Sequence, residues 1–535
     1  MYLKNTKTIL VLMAIFISGV SANAQIKEYL QAFIDKDCYL TGEQMLIHVS
    51  VTDEALNPMD VSKVAYVELC DTKQMQAGGL IQLKDGEGWA AISLPGSMHS
   101  GNYQMNVYTR YQRNFGPDCY YKRIVSVVNL LNPSEDDDIE FVEGIPETTS
   151  EEEQESLLSD KREYSTREKV NIRLPKVEGR AMTLSVVRKD CGYSDNHKDY
   201  SDPVFREFSS LKFIPEVDGH IVSAKSSDRK EVNKTQLALV GKTGMVFDGQ
   251  IQEDGSVWYY TIGLNGTLPT CLNGYTFEDS PVRMEYQLPY EVVLPEALPS
   301  LKIYYDEKEL QNRSVGSQIE KSKRDISLGN IVGHDIQFLG VNPDKFYDLD
   351  EYTKFKTVRE ILIEFVSGIR SRSVNKHKQL FTYNSESHEY SKWAALVLLD
   401  GMPVYDIDAL MDYDARRLKF VQIYNGRFQF GENPCQGVIS FISRKGALQD
   451  FRLDEGTQMY NYEFPQNRPA FLSPIYEDKS SRNPDFRHTL YFNPEVTEDC
   501  EFYTSDLPGT YEIVLKYIDK DRKEQKISSK FIVNK

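Results

Sequence analysis

Histidine and cysteine carry the chemistry that is easiest to recognise in a sequence, and their spacing here assembles no known site. No two of the eight histidines are three or four residues apart, the spacing that puts two metal ligands on one helical face. No Cys-x-x-Cys pair occurs among the seven cysteines, so neither a zinc ribbon nor a thioredoxin-type redox centre is indicated. We therefore expect no metal ion and no cofactor.

Motifs for nucleophilic and acid–base catalysis are also missing. There is no Gly-x-Ser-x-Gly turn. Asp344, Asp348, Asp350 and Glu351 form a compact acidic group, for which binding of calcium or of a basic peptide is an alternative to a solvated approach to a helix. A triad or a carboxylate pair built from distant residues has no fixed order in sequence. We predict a non-enzymatic protein, and an enzyme whose site forms only in three dimensions stays an alternative.

The N-terminus predicts export. Residues 1–24 combine two lysines, an apolar run over residues 9–17 and an Ala-x-Ala ending, the pattern of a signal peptide cleaved between Ala24 and Gln25. No later segment is apolar enough to span a bilayer. The net charge of −18 disfavours nucleic acid and anionic lipid as partners, and capture of cations or basic peptides stays an alternative. We expect a protein of the periplasm or of the outer membrane surface.

The elements that would position any site are mostly strands. From residue 25 to residue 131, short runs of β-branched and aromatic residues alternate with polar turns, which indicates a β-sandwich. Its three cysteines, Cys38, Cys70 and Cys119, either supply one disulfide or stay buried and unpaired, because export permits both states. The sequence does not choose between them.

A repeated turn marks two of the predicted sandwiches. The stretch from Asp35 through Tyr39 to Glu43 recurs as Asp160, Tyr164 and Glu168. The first copy, together with Leu-Pro at 94–95 and Ser-Gly-Asn-Tyr at 100–103, resembles the macroglobulin (MG2-like) domains, which have an Ig-like sandwich fold. The resemblance and the repeat together imply tandem macroglobulin-like sandwiches at 25–131 and 159–214.

The remaining β regions are assigned by their composition and local pattern. Residues 132–158 are strongly acidic and poor in apolar side chains, so we expect a flexible linker, with a calcium site at 135–138 as the alternative. Residues 215–310 resemble a carboxypeptidase-regulatory-type sandwich. Residues 456–535 resemble a terminal segment of α2-macroglobulin-type chains, with Phe492 in place of the usual Trp.

A different pattern occupies residues 327–455. Three apolar runs at 396–404, 418–424 and 437–446 are each closed by a turn signal, Asp-Gly, Asn-Gly or Lys-Gly. A capped amphipathic helix is predicted at 357–366. This order resembles the plug domain of TonB-dependent outer-membrane receptors, which implies one small α/β domain. The residues after it are too few to build a receptor barrel.

These assignments lead to one preferred function and two alternatives. We expect a mainly β, multidomain, exported binding or assembly protein of a Gram-negative cell envelope, whose plug-like domain docks an outer-membrane or periplasmic protein. No cysteine lies in a thioester motif, so a protease-interacting macroglobulin relative would act without a thioester. An enzyme is the second alternative. Two exposed turns are the candidate binding residues: Asp400, Gly401, Met402, Pro403, Asn425, Gly426 and Arg427.

Overall fold

The structure is a computed structural model that describes most of the chain after residue 24. The described residues are 25–535 except 132–138, 145–157, 190–201, 228–229, 242–244, 279, 329–340, 375–376, 385–387, 431–432, 447, 454, 470, 472 and 477–482. The predicted signal peptide, with the cleavage residue Ala24, and the calcium site considered at 135–138 lie outside them. Gln25 is described, and its Nε2 donates a hydrogen bond to the carbonyl oxygen of Phe208 at 2.6 Å.

Residues 25–131 form the predicted sandwich, here called the first sandwich. Its sheets have the orders β1-β3-β6 and β2-β8-β7-β4-β5, and only the β2–β8 pair is parallel. Ile47 and Val67, from opposite sheets, belong to one buried core. The strands are β1 (Tyr29–Ile34), β2 (Cys38–Leu40), β3 (Gln44–Thr52), β4 (Val64–Cys70), β5 (Met75–Gln82), β6 (Glu87–Ser93), β7 (Gly101–Thr109) and β8 (Tyr121–Val128), with 3₁₀ turns at Tyr111–Asn114 and Pro117–Cys119.

The next part of the chain contains too few strands to close a sandwich by itself. It begins with β9 (Ile139–Glu143) and continues with β10 (Glu163–Ser165), β11 (Lys169–Ile172) and β12 (Arg180–Arg188). The last three strands bury apolar side chains such as Val170 and Leu184. These side chains need a partner layer, and the chain supplies it only near its C-terminus.

A second set of strands builds two four-stranded sheets around one core. Their orders are β16-β17-β13-β19 and β15-β14-β18, the latter completed by a strand from later in the chain. Val222 and Leu237 lie in the core between the two sheets. The strands are β13 (Ile221–Ser226), β14 (Lys234–Leu239), β15 (Val246–Asp248), β16 (Gln250–Ile251), β17 (Ser256–Tyr260), β18 (Gly266–Tyr275) and β19 (Met284–Tyr286).

A parallel ribbon and a long helix follow. Strand β20 (Leu301–Tyr305) pairs in parallel with β9, and helix α1 spans Glu307–Leu328. The expectation that the whole acidic segment 132–158 is a structureless linker is therefore wrong for β9. A composition rule weighs only what the segment can bury by itself, whereas β9 gains its order by pairing with a strand far away in sequence.

Residues 345–443 form the predicted α/β unit. A five-stranded sheet has the order β21-β27-β28-β25-β26, in which only the β25–β28 pair is parallel. A smaller sheet has the order β22-β23-β24. The elements are β21 (Lys345–Asp348), α2 (Val358–Glu364), β22 (Ile369–Val374), β23 (His377–Asn384), β24 (Glu389–Tyr390), β25 (Leu396–Leu399), β26 (Met402–Pro403), α3 (Ile407–Asp412), a 3₁₀ turn (Ala415–Arg417), β27 (Leu418–Phe430) and β28 (Asn433–Ser443).

Helix α2 is the element that the sequence predicts best. The Thr357 hydroxyl accepts from the backbone N–H of Glu360, and the Glu360 carboxylate accepts from the N–H of Thr357, which together make the predicted capping box. Val358 and Ile361 are buried on its inner face, whereas Ile363 on the opposite face is 74% exposed. A mainly β, multidomain chain with one α/β unit is confirmed.

The C-terminal strands return to complete the two open sandwiches. Strand β29 pairs with β18 and closes what we call the third sandwich. The other four join β10, β11 and β12 in sheets β10-β33-β32-β12-β30 and β11-β31, which form the second sandwich. The strands are β29 (Thr457–Phe464), β30 (Thr489–Asn493), β31 (Cys500–Tyr503), β32 (Gly509–Ile518) and β33 (Glu524–Asn534).

The domains are therefore nested rather than strung in a row. The predicted separate units 159–214 and 456–535 share one sandwich, and the predicted 215–310 sandwich takes its last strand from 457–464. The α/β unit is inserted into the third sandwich, which is inserted into the second. Local strand signals show where strands lie but not which strands pair, so sequence order alone suggested separate domains.

The repeated turn has the same hydrogen bonds in both copies. Tyr39 donates to Asp35 at 2.7 Å, and Tyr164, 125 positions later, donates to Asp160 at 2.6 Å. The residue two positions before the second strand has a positive φ in both copies, Gly42 at 86° and Arg167 at 58°. Strands β2 and β10 both pair in parallel with the last strand of their sandwich. The two copies therefore have the same local structure.

The described cysteines resolve the disulfide alternatives for the first sandwich. Cys70 and Cys119 are buried free thiols, and any bridge among its three cysteines would need one of them. Burial raises the pKa of both thiols to about 12. These thiols therefore stay protonated at neutral pH and serve as small apolar side chains.

Candidate functional site

The predicted binding turn at Asp400–Pro403 is buried, contrary to the expectation that it is exposed. Asp400 is 4% exposed and Met402 is 2% exposed. The carbonyl oxygen of Asp400 accepts from the N–H of Gly241 at 2.6 Å, and Met402 contacts Cys271. The turn thus joins the α/β unit to the third sandwich. Its Asp-Gly-x-Pro signal specified the turn, but burial depended on a neighbour from another domain.

The second predicted turn belongs to a strand. Asn425, Gly426 and Arg427 lie within β27, where the register with β28 shifts between Tyr424 and Arg427. The N–H of Asn425 donates to a carboxylate oxygen of Asp344 at 2.6 Å. The segment is therefore an irregular strand and not a loop. Of the three residues, only Arg427 is exposed. That they bind a partner stays a prediction.

Three exposed arginines of the α/β unit lie over aromatic rings, Arg427 on β27 and Arg370 and Arg372 on β22 of the small sheet. The Arg427 guanidinium carbon is 5.7 Å from the ring centre of Trp393. The same distance is 5.7 Å from Arg370 to Tyr390 and 5.0 Å from Arg372 to Phe381. We call these six residues the arginine–aromatic face.

The small sheet positions this face. Strand β22 is an edge strand, in which Arg370 and Arg372 are two residues apart and therefore point to the same side. Arg370 lies directly opposite Phe381 on β23. The segment that carries Tyr390 and Trp393 is tied to β23 by a hydrogen bond from Ser391 N–H to the carbonyl oxygen of Thr382. The arginines are therefore presented by strands and not by a loose loop.

The arginines of the face carry positive charge on a chain that is acidic overall. Across the part of the chain that the structure describes, no carboxylate lies within 4.0 Å of Arg370, Arg372 or Arg427. A guanidinium stacked on an aromatic ring keeps its fork of N–H donors free for a carboxylate. Trp393 remains 49% exposed. Chemically, the face can bind carboxylates in a bidentate manner while apolar surface is buried around them.

Two buried histidine clusters have catalytic residue types but act as joints between sandwiches. His48 contacts Glu87 at 2.6 Å and Thr183 of the second sandwich at 2.7 Å. His220, at the start of the third sandwich, contacts Glu216 at 2.9 Å and Tyr462 at 2.8 Å, and the Tyr66 hydroxyl of the first sandwich donates to Glu216 at 2.9 Å. His48 and His220 are 1% and 2% exposed, so a substrate has no direct access to either imidazole.

A third joint holds the chain entering the ribbon strand against the first sandwich. The Glu68 carboxylate is fully buried and accepts backbone N–H bonds from residues 291, 292 and 293 at 2.9–3.0 Å. The Tyr108 hydroxyl donates to the same carboxylate. Because one carboxylate satisfies several donors, this joint is stable without a ligand.

The predicted acidic group near β21 is occupied by internal partners. Asp350 pairs bidentately with Arg444, at 2.6 Å and 3.0 Å, and this bond lowers the pKa of Asp350 to about 2. Asp344 accepts from Asn425 N–H as described above. Within the described ranges no group of three or more histidine, cysteine, aspartate or glutamate side chains has a geometry that could hold a metal ion.

Most of the arginine–aromatic face escaped the sequence analysis, which singled out only Arg427. A signal was present in the stretch Ile-Arg-Ser-Arg-Ser-Val at 369–374, where arginine alternates with serine. Such alternation places both arginines on one side of a strand. Sequence could not show that the side is exposed or that no acid neutralises it.

Comparisons with known proteins find distant similarity to solved structures only. No protein-family model and no curated protein matches the chain. No helix in the described residues is both long and apolar enough to cross a membrane.

Similar solved structures include Salmonella alpha-2-macroglobulin reacted with methylamine, at 9% identity and a TM-score of 0.16, with 96% of this chain and 24% of that chain covered. Native E. coli alpha-2-macroglobulin has 10% identity and a TM-score of 0.23, with coverage of 96% and 40%. The E. coli adhesin FdeC has 10% identity and a TM-score of 0.17, with coverage of 52% and 65%. This chain spans less than half the length of these macroglobulins.

Proposed function

We propose that this chain is a non-enzymatic, exported binding protein of a Gram-negative cell envelope that docks an acidic segment of a periplasmic or outer-membrane protein through the arginine–aromatic face. The observation that carries the proposal is the set of three exposed arginines that have no carboxylate within 4.0 Å among the described residues, on a chain with a net charge of −18. Arginine, tyrosine and tryptophan are the residue types that contribute most at protein interfaces.

The rest of the molecule supports this role by holding the α/β unit in place. The buried turn at Asp400 fixes that unit to the third sandwich, and the hydrogen bond from the Tyr66 hydroxyl to Glu216 ties the first sandwich to the start of the third. A binding face on a fixed unit loses less conformational entropy when its partner docks. In this proposal the sandwiches are spacers, and the repeated turn supports assigning the first and second to the macroglobulin-like type.

The plug-like identity of the α/β unit belongs to the same proposal. Its support is the capped helix α2 and the mixed sheet in which β25, β27 and β28 carry the three predicted apolar runs. A plug-like unit without a barrel on its own chain would leave its docking surface available to a separate protein. The partner is therefore expected to be a protein and not a small molecule.

Photo-crosslinking tests the proposed docking face directly. Trp393 is replaced by the photoreactive p-benzoylphenylalanine in the native host, and the same replacement at Phe277, which is 72% exposed on the third sandwich, serves as the matched control. We expect a discrete crosslinked protein from position 393 and none of that size from position 277. Identical products from the two positions would show that the face is not the docking surface.

Charge reversal provides the second arm of this test. Arg370→Glu together with Arg372→Glu should abolish the crosslink from position 393, because repulsion replaces attraction to an acidic partner. The control pair, Arg206→Glu with Arg283→Glu, changes the net charge equally at exposed sites elsewhere and should preserve the crosslink. Retention of the crosslink in the first pair would exclude recognition of an acidic segment.

A further inference from the structure

A cleft lies where the first sandwich, the second sandwich and α1 meet. Its walls are unusually cationic for this acidic chain, with six basic and three acidic side chains among the lining residues. The basic residues are Lys36, Arg188, Lys189, Arg313, Lys516 and Lys526, and the acidic residues are Asp35, Asp37 and Glu512.

Nearby carboxylates pair with five of the six basic side chains. Arg313 and Lys36 both contact Glu43, at 2.7 Å and 3.2 Å. Lys189 and Lys526 both contact Glu512, at 2.8 Å and 3.5 Å. The remaining pair, Arg188 with Glu309 of α1, is separated by 2.8 Å. Of the three acids that line the cleft, Glu512 is thus already paired with two lysines.

The two other acids of the cleft are also engaged. Asp37 pairs with Arg123 at 2.8 Å. Asp35 accepts hydrogen bonds from Tyr39 at 2.7 Å and from Thr489 of the second sandwich at 2.9 Å. Neither carboxylate lies within 4.0 Å of Lys516. The cleft therefore has no acid left over for its sixth basic side chain.

Lys516 is the exception in this charge arrangement. It is 7% exposed, and its Nζ donates to the carbonyl oxygen of Ile34 at 3.3 Å. No carboxylate lies within 4.0 Å of its ammonium group in the described part of the chain. In the β32–β33 register Lys516 lies directly opposite Lys526, and like charges in that position repel each other.

The alternation of side chains along β32 fixes which residues face the cleft. Tyr511, Ile513 and Leu515 of β32 point into the core of the second sandwich. Glu512, Val514 and Lys516 alternate with them and therefore line the cleft. An ammonium group has three N–H donors, and burial keeps water from satisfying them freely. Burial, reinforced by Arg123, lowers the pKa of Lys516 against the opposing influence of Asp37 and Glu524.

We propose that this cleft binds one small oxyanion, a phosphate or a carboxylate, between Lys516 and Lys526. The anion would accept hydrogen bonds from both ammonium groups and would remove the repulsion between them. Because Asp35, Lys36 and Asp37 of the first sandwich also line the cleft, the anion also strengthens the contact between the first and second sandwiches. This inference is independent of the docking proposed for the α/β unit.

Thermal unfolding and calorimetric titration of the full mature chain test the site. The probes are sodium phosphate and sodium acetate, with sodium chloride used to keep the ionic strength constant. We expect one saturable site for phosphate or acetate, and a melting temperature that rises with the concentration of the same anion. Phosphate alone would identify a phosphate site, and acetate would identify a carboxylate site. No saturable binding of either anion would overturn the proposal.

Variants show whether Lys516 and Lys526 hold the anion. Lys516→Met should weaken binding about tenfold or more, since a charge-assisted hydrogen bond is lost. Lys526→Gln, at a position whose side chain is 48% exposed, should fold normally and also weaken binding. Lys520→Met, in the exposed turn between β32 and β33, is the matched control and should bind as the wild type does. Binding at the wild-type level by Lys526→Gln or Lys516→Met would contradict the proposal.

Discussion

At the scale of single residues, the two copies of the repeated turn use the same glutamate in different surroundings. Glu43 is buried and is held by Arg313, whose side chain is 3% exposed. Burial alone would raise the pKa of Glu43, but Arg313 and Lys36 outweigh burial and hold it well below its usual range. Glu168 pairs with Lys161, whose side chain is 53% exposed. The two glutamates therefore hold the same position in the motif, but the buried Glu43 pair contributes more to stability than the exposed Glu168 pair.

Arg313→Met should destabilise the first sandwich strongly. The substitution leaves a buried carboxylate without its main counter-charge, which costs about 3–5 kcal/mol. The matched control is Lys161→Met, which removes the solvent-screened pair of the second copy and should change the stability far less. The measurement is urea unfolding followed by Trp89 fluorescence in a chain with Trp258→Phe and Trp393→Phe. Equal effects of the two substitutions would contradict this reading of Glu43.

The contribution of the Glu43–Arg313 pair should depend on pH in one direction. The folded-state pKa of Glu43 lies below the value of about 4.3 expected in the unfolded chain. The stabilisation is therefore fully present above that unfolded value and is lost as the pH falls below it. We expect the stability difference between wild type and Arg313→Met to be constant from about pH 6 to pH 8 and to shrink below about pH 4.5. A difference that grows on acidification would disprove the assignment.

At the scale of elements, the last strands decide whether earlier strands are stable. Strand β29 is the edge of a sheet whose other strands come from residues 234–275, and its Phe464 is fully buried in the core of the third sandwich. Strand β33 plays the same role in the second sandwich, through the buried Phe531. Each strand thus supplies part of a core whose other half lies far earlier in the sequence.

Phe464→Ala should loosen strands that are distant in sequence. Truncating a buried phenylalanine costs about 3–5 kcal/mol. Amide hydrogen exchange should therefore accelerate in β14 and β18, while β3 and β7 of the first sandwich stay protected. Phe531→Ala is the matched control and should instead accelerate exchange in β12 and β32. If Phe464→Ala affected only residues near position 464, the pairing of β29 with β18 would not be supported.

At the scale of the whole molecule, nesting makes the folding of the chain depend on its C-terminus. The five-stranded sheet of the second sandwich takes β30, β32 and β33 from the C-terminal segment and only β10 and β12 from earlier. The first sandwich, by contrast, takes all of its strands from residues 29–128. The contacts that close the second sandwich are therefore among the longest-range in the chain.

A chain that ends after residue 455 distinguishes nested folding from folding of separate domains. Because β29–β33 are lost, residues 158–188 should exchange their amide hydrogens as an unfolded segment does. The first sandwich should keep its protection, since its core is complete. The chain that retains residues 456–535 is the control. Protection of residues 158–188 in the shortened chain would show that 159–214 folds alone, as the sequence order suggested.

The candidate site was only partly predictable from the sequence, because its exposure depends on segments that are distant in the chain. The Asp-Gly turn at 400–401 and the strand run at 418–424 were located correctly, yet Asp400 is buried, and Asn425, Gly426 and Arg427 continue the strand instead of forming a loop. Exposure depends on which neighbouring domain covers a residue, and that neighbour comes from elsewhere in the chain. Arg370 and Arg372 matter because they are exposed and have no carboxylate within 4.0 Å in the described part of the chain. Neither property is visible in a local pattern.

The amino-acid sequence by itself determined the local elements of this protein. Side-chain alternation specified the strands, the Thr357 and Glu360 pair specified the start of α2, and the repeated turn specified two sandwiches of one type. Only the tertiary structure decided which strands pair, because every strand offers the same backbone N–H and C=O groups. Partner choice follows from the burial of apolar faces across the whole molecule, which nests the domains, buries Asp400 and leaves Lys516 opposite Lys526.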